Sequence, residues 1–228
     1  MIPISDVIPS RTTPVVTVAL IVLNLAVFIY QWLLPKPLLE QFVATYALVP
    51  AWFTWTALFT SQFLHAGWLH VLSNMLYLWI FGDNVEDRLG HARFIVFYLG
   101  AGAAAAVLQM LFNPFSAIPM LGASGAIAGV MGAYFVLYPQ SRVLTFIFLL
   151  IFIDLVEVPA LFFLGIWFLM QLLSGVGSLG ARNAAAGGTA FWAHIRGFVV
   201  GVVIGLVLRL RDRNRWDRDP YARFDAYN

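Results

Sequence analysis

What most constrains this chain is the grouping of its apolar residues. Between Pro14 and Leu210 they form long runs, broken only where charged residues, Pro or Gly gather. These runs read as helices near Pro14–Leu34, Leu69–Asp87, Arg93–Phe112, Ser124–Tyr138, Val158–Ser174 and Ala190–Leu210. A helix needs ~20 apolar residues to cross the ~30 Å hydrocarbon core of a bilayer, and the runs are of about that length. With 61% of residues hydrophobic and 11% charged, too few polar groups remain to cover a water-soluble surface. The predicted fold class is an all-α polytopic membrane protein, a bundle of six transmembrane helices. Val143–Ile153 is also apolar, but Asp154, Glu157 and Pro159 end it too early for a span, so it is expected to be interfacial or re-entrant. Pro35–Phe63, rich in Trp and Phe, is expected to be a long loop resting at the interface.

Three regions follow: an N-terminal segment at 1–13, the membrane domain at 14–210 and a polar, Arg-rich tail at 211–228. Met1–Thr13 carries one Arg and no apolar core, so no cleaved signal peptide is expected. An even number of spans puts both termini on one side. Arg11, Arg88, Arg93, Arg142 and six arginines from Arg209 onward fall there, against Lys36 and Arg182 opposite. The positive-inside rule makes that side cytoplasmic, and the expected location is a bacterial inner membrane. The tail's arginines alternate with aspartates directly after a span, which reads as a membrane anchor and not as a nucleic-acid site. The absence of cysteine excludes disulfides, thiolate catalysis and Cys-ligated metals.

In this orientation the second, fourth and sixth helices all begin at the outer face. Polar side chains inside a membrane are costly and mark function by default. His65, His70 and Asn74, then Ser124, then His194 lie near the starts of these three helices, at one depth. Ser124 sits in Gly122-Ala123-Ser124-Gly125 with Gly129 and Gly132 behind it. Taken alone, that spacing of small residues favours helix packing. His194 is followed by Gly197, Gly201 and Gly205, a ridge on which the fourth helix can pack closely. Such packing would bring a serine nucleophile to an imidazole base. His70 and Asn74, four apart, share a helix face. They read either as oxyanion donors together with the Ser124 N–H or as an interhelical polar clamp. His65 points elsewhere and reads as structural. A three-histidine zinc site ranks low, because no carboxylate shares the spacing. Glu86 and Arg88, beside Asp83 and Asp87, read as solvated interfacial charge or a bracing ion pair, and His91 suggests no role.

Taken in order, Phe63–Asn74, Glu86-Asp87-Arg88-Leu89-Gly90, Gly122–Gly125 and Ala193-His194 with Gly197 and Gly201 resemble the motifs of the rhomboid family of intramembrane serine proteases. The resemblance implies a Ser124 nucleophile, a His194 base without a third acidic member, and an oxyanion hole of His70, Asn74 and the Ser124 N–H. It implies substrates that are single-pass or other transmembrane proteins, cut near the outer face, and no metal or organic cofactor. It also implies lateral gating by the fifth helix, including Trp167, and by the Gly/Ala-rich stretch Gly175–Thr189. Three departures stand out. Trp55-Thr56 replaces a usual Trp-Arg pair, Ala128 replaces an aromatic that in some members stacks on the histidine, and Arg196 occupies a position that is usually small. Arg196, two residues from the base, is the departure expected to alter activity. The alternatives are a pseudoprotease that binds transmembrane helices without cleaving them, and a small transporter or channel. The second would need a polar path through the inner half, where only Asp154 and Glu157 are available. Substrate identity and oligomeric state are not readable from the sequence.

Overall fold

The first helix shows how the bundle is assembled. In the computed structural model, which describes residues 1–149, 152–178 and 185–211, α1 (Val15–Leu33) buries Thr17, Leu20, Asn24, Phe28 and Gln31. Val18, Val22, Leu23 and Ile29 are turned outward. The spacing of three and four marks one face, and that face carries the polar residues. A soluble helix would do the reverse. In lipid there is no gain in hiding leucine from water, while an unsatisfied polar group is expensive, so polar groups go inward. Gln31 illustrates the outcome: its carboxamide donates to the His65 carbonyl (3.3 Å) and accepts from the His65 N–H (3.0 Å).

The segment after α1 is not a plain loop. It holds α2 (Lys36–Tyr46), α3 (Trp55–Thr60) and two short 3₁₀ turns, Pro50–Trp52 and Ser61–Phe63. Then come α4 (Trp68–Leu89), α5 (His91–Phe112), α6 (Ser124–Leu137), α7 (Ala160–Ser178) and α8 (Ala185–Arg211). Among the described residues, four helices are long and apolar enough to cross a membrane: α1, α5, α7 and the Phe191–Arg211 part of α8. α6 is equally apolar but shorter. α4 ends in Asp83, Glu86, Asp87 and Arg88.

Two expectations need correction. The chain is mostly helical but not all-α, because a three-stranded antiparallel sheet forms in the order β1 (Ile2–Asp6), β2 (Arg142–Leu149), β3 (Phe152–Pro159). The described residues of Val143–Ile153 therefore lie in two paired strands, with Arg142 opposite Pro159 and Leu149 opposite Phe152, and β1 pairs to the other edge of β2. The gate stretch Gly175–Thr189 is also shorter than expected, since α7 runs on to Ser178 and α8 starts at Ala185; residues 179–184 lie outside the described ones.

Glycines set the tightest contact, between α6 and α8. A Cβ on Gly197 would overlap the Gly125 carbonyl oxygen, one on Gly201 the Gly129 carbonyl, and one on Gly132 the Phe198 carbonyl. The two backbones touch, as small residues in membrane helices permit.

At the far end of α4, Glu86 is not solvated surface charge but part of the packing. Glu86 is fully buried. It accepts from the N–H groups of Val16 (2.9 Å) and Thr17 (2.7 Å), from the Thr17 hydroxyl (2.7 Å) and from His91 Nδ1 (2.5 Å). It thereby caps the N-terminus of α1, whose first amides have no partner in their own helix. His91, which the sequence left without a role, braces that carboxylate. Asp87 accepts from the Arg11 and Thr12 amides at 2.6 and 3.1 Å and from the Thr12 hydroxyl. Asp6, at the end of β1, accepts from Asn84 Nδ2 (2.9 Å) and the Tyr134 hydroxyl (2.6 Å). Burial pushes the Asp6 carboxyl up to about 7, opposed by the Tyr134 hydrogen bond and aided by the charge of Asp83.

Candidate active site

α4 carries His70 near one end and Glu86 near the other, about 24 Å apart at 1.5 Å per residue. A cavity lies at the His70 end. It has a volume of about 490 Å³, and its wall includes His70, Gly122, Ser124, Gly125, Ala193 and His194. Three of the residues singled out in the sequence thus face one space. Ser124 is the first residue of α6, and His194 lies one turn before Gly197 on α8. The glycine contact between Gly125 and Gly197 fixes the spacing of the two helices next to both side chains.

His70 reaches the same place from α4. Its Nδ1 accepts a long hydrogen bond from the Ala66 N–H (3.4 Å), which puts the ring proton on Nε2. That edge of the ring faces Gly122, where an added Cβ would sit 2.8 Å from Nε2 and 3.8 Å from the Ser124 Oγ. Gly122 has φ +123°, a conformation that L side chains rarely adopt, and its N–H donates to the Ser61 carbonyl (2.8 Å). Glycine is therefore needed here twice, for the backbone turn and to leave room for the imidazole. No side chain caps α6, so the N–H groups of Ser124 and Gly125 have no acceptor in their own helix and carry the positive end of its dipole.

Asn74 lies elsewhere. It is buried and does not line the cavity, with Nδ2 3.0 Å from His65 Nε2. One amide hydrogen is thereby committed and the other retained. His65 is accordingly a buried link, held by Gln31 through its backbone and by Asn74 through its ring.

Arg196 is held away from His194. Its guanidinium hydrogen-bonds the buried Gln109 carboxamide on α5 and lies over the rings of Phe112 (4.6 Å) and Trp192 (5.6 Å). The expected disturbance of His194 is replaced by a brace between α8 and α5. Trp167, from α7, lies against His194 with ring centroids 6.0 Å apart. Sequence reasoning passed over Gln171, whose Oε1 is 2.9 Å from His194 Nδ1. The available signal was a polar carboxamide inside the apolar span Val158–Ser174.

A rhomboid-domain family model matches residues 52–211 of the chain. The chain belongs to the rhomboid family. It is 30% identical over 219 residues, 87% of its length, to a mitochondrial rhomboid protein of Saccharomyces cerevisiae, covering 57% of that relative. It is likewise 30% identical over 176 residues, 75% of its length, to a chloroplastic rhomboid-like protein of Arabidopsis thaliana, again covering 57% of the relative. A rhomboid protease of Bacillus subtilis matches more closely over a shorter stretch, with 42% identity over 79 residues, 35% of this chain and 15% of the relative. The chain thus spans little more than half the length of the relatives it matches most extensively. It is an integral membrane protein of a family made up generally of intramembrane serine proteases that act on transmembrane substrates.

Proposed function

We propose that this rhomboid is an intramembrane serine endopeptidase that cleaves transmembrane segments of other membrane proteins near the outer face, using a Ser124–His194 dyad. The observation that carries the reading is that Ser124, His194 and His70 wall one shared cavity at the uncapped start of α6. In the proposed reaction His194 takes the Ser124 proton as the hydroxyl attacks the scissile carbonyl. The resulting oxyanion accepts from the Ser124 N–H and from His70 Nε2–H, and Asn74 joins them as a third donor once its side chain turns its second amide hydrogen into the cavity. His194 then protonates the leaving amine, and a water admitted to the cavity hydrolyses the acyl-enzyme. The chain's own groups supply every proton transfer. The proposed frame is six spans, with α4 and α6 completing the four long apolar helices and both termini in the cytoplasm of a bacterium.

A fluorophosphonate probe tests this directly. Wild-type protein in detergent or lipid is expected to label, with labelling abolished in Ser124→Ala and in His194→Ala. Wild-type protein that folds but does not label in a Ser124-dependent way would be a pseudoprotease instead.

A further inference from the structure

Two side chains of α7, one helical turn apart, converge on His194. Gln171 Oε1 is 2.9 Å from Nδ1, and the Trp167 indole covers the ring at an interplanar angle of 32°. A carboxamide oxygen has no hydrogen to give, so the proton in this bond is on Nδ1. A neutral imidazole protonated at Nδ1 has a bare Nε2, and a general base needs one nitrogen bare and turned to its nucleophile. On the α6 side, Ser124 is the group that the bare Nε2 serves in the proposed reaction, and the glycines packed against α8 have no side chain to hold Nδ1. Selection of the reactive form therefore comes from α7.

We propose that Gln171 is a positioning residue for the general base. It occupies the place a carboxylate takes in a three-member arrangement, with Trp167 setting the ring plane, and this rests on the Ser124–His194 reading above. A neutral amide orients the ring without stabilising its protonated form, which distinguishes it from a carboxylate. The arrangement also ties the base to the seating of α7. Only Ala160, Phe163, Leu164 and Gly175 of that helix are buried, and a Cβ added at Gly165 or Gly177 would meet nothing within 4 Å. An outward shift of α7 removes the acceptor and the indole together. The base is then set for chemistry only when α7 lies against α8, so a bound substrate that holds α7 away leaves the dyad idle.

The test uses the full chain in detergent micelles, read by fluorophosphonate labelling across pH and by ¹⁵N NMR of the His194 ring, assigned by its loss in His194→Ala. Gln171→Leu, close in size, is expected to lower the maximal labelling rate about tenfold, the loss expected of one orienting hydrogen bond, with little change in the half-saturating probe concentration. Its ¹⁵N spectrum is expected to change from an Nδ1–H form to a mixture of tautomers. Gln171→Glu keeps an acceptor, so it should restore the Nδ1–H form and move the acid limb of the labelling profile to higher pH. Wild-type rate, profile and ¹⁵N pattern in Gln171→Leu would overturn the proposal while leaving the dyad intact. A Gln171-dependent Nδ1–H signal in wild-type protein that never labels would instead sink the dyad reading and leave the positioning bond standing.

Discussion

The two sides of α8 are built on different principles. Towards α6 the helices meet backbone to backbone, glycine against carbonyl, at Gly125–Gly197, Gly129–Gly201 and Gly132–Phe198. Towards α7 they meet through side chains: Trp167 and Phe168 on Phe198, Gln171 on His194, and Gly175 beneath Trp192. Membrane helices gain little from burying leucine, so association depends on close fit and hydrogen bonds. The α6 contact has the closer fit and leaves no slack. The α7 contact has large, exposed apolar residues behind it, among them Phe162, Met170 and Leu173, which lipid solvates as well as protein would. The backbone seam sets the spacing of Ser124 and His194, and the seam beside them rests on side chains.

The largest way to break this contrast is Gly201→Val. The added carbons collide with the Gly129 carbonyl, and the loss is expected to exceed about 3 kcal/mol or to prevent folding, read as resistance to unfolding in mixed micelles. Next comes the anchor at the far end of α4. Glu86→Ala strips the Val16 and Thr17 amides of their acceptor, at a cost of about 2–3 kcal/mol in the same assay. Asp6 gives a smaller, pH-dependent effect. Its carboxyl is raised to about 7 in the folded protein from an ordinary 3.8, so the folded state binds the proton more tightly. The contribution is full below about pH 4, falls as pH rises through the interval up to 7, and is then lost. Unfolding midpoints between pH 4 and 8 should show that slope in wild type and lose it in Asp6→Asn. Smallest of all is Gly165→Val on α7, where the side chain enters open space. A change below about 1 kcal/mol is expected, and a loss matching that of Gly201→Val would abolish the distinction between the two seams.

The sequence made the helices legible because each apolar run is a local signal, and it brought Ser124, His194 and His70 together because all three lie near the starts of apolar runs of one polarity, although α8 itself begins earlier, at Ala185. What escaped it was long-range. The sheet was unreadable because the apolar strands β2 and β3 look like a truncated span, and its third strand is the distant Ile2–Asp6. Glu86 read as surface charge because its donors, Val16 and Thr17, lie some seventy residues earlier, before α1 has turned the chain back. Asn74 shares a helix face with His70 but is engaged by His65, a residue from the preceding turn whose direction spacing alone does not give. Arg196 read as a threat to its sequence neighbour because Gln109 and Phe112, which hold it, are on another helix.

The pairing of β1 with β2 also bears on how the protein is made. The bond from Asp6 to Tyr134 joins residues 128 positions apart. At about 5–20 residues per second of synthesis, β1 leaves the ribosome roughly 6–26 s before that partner exists. For that interval Ile2–Asp6 is an unpaired edge with apolar side chains, open to any other strand it meets. Closing the sheet is therefore a late event in biogenesis, and it ties Ile2–Asp6 to α4 and α6, which are made after it.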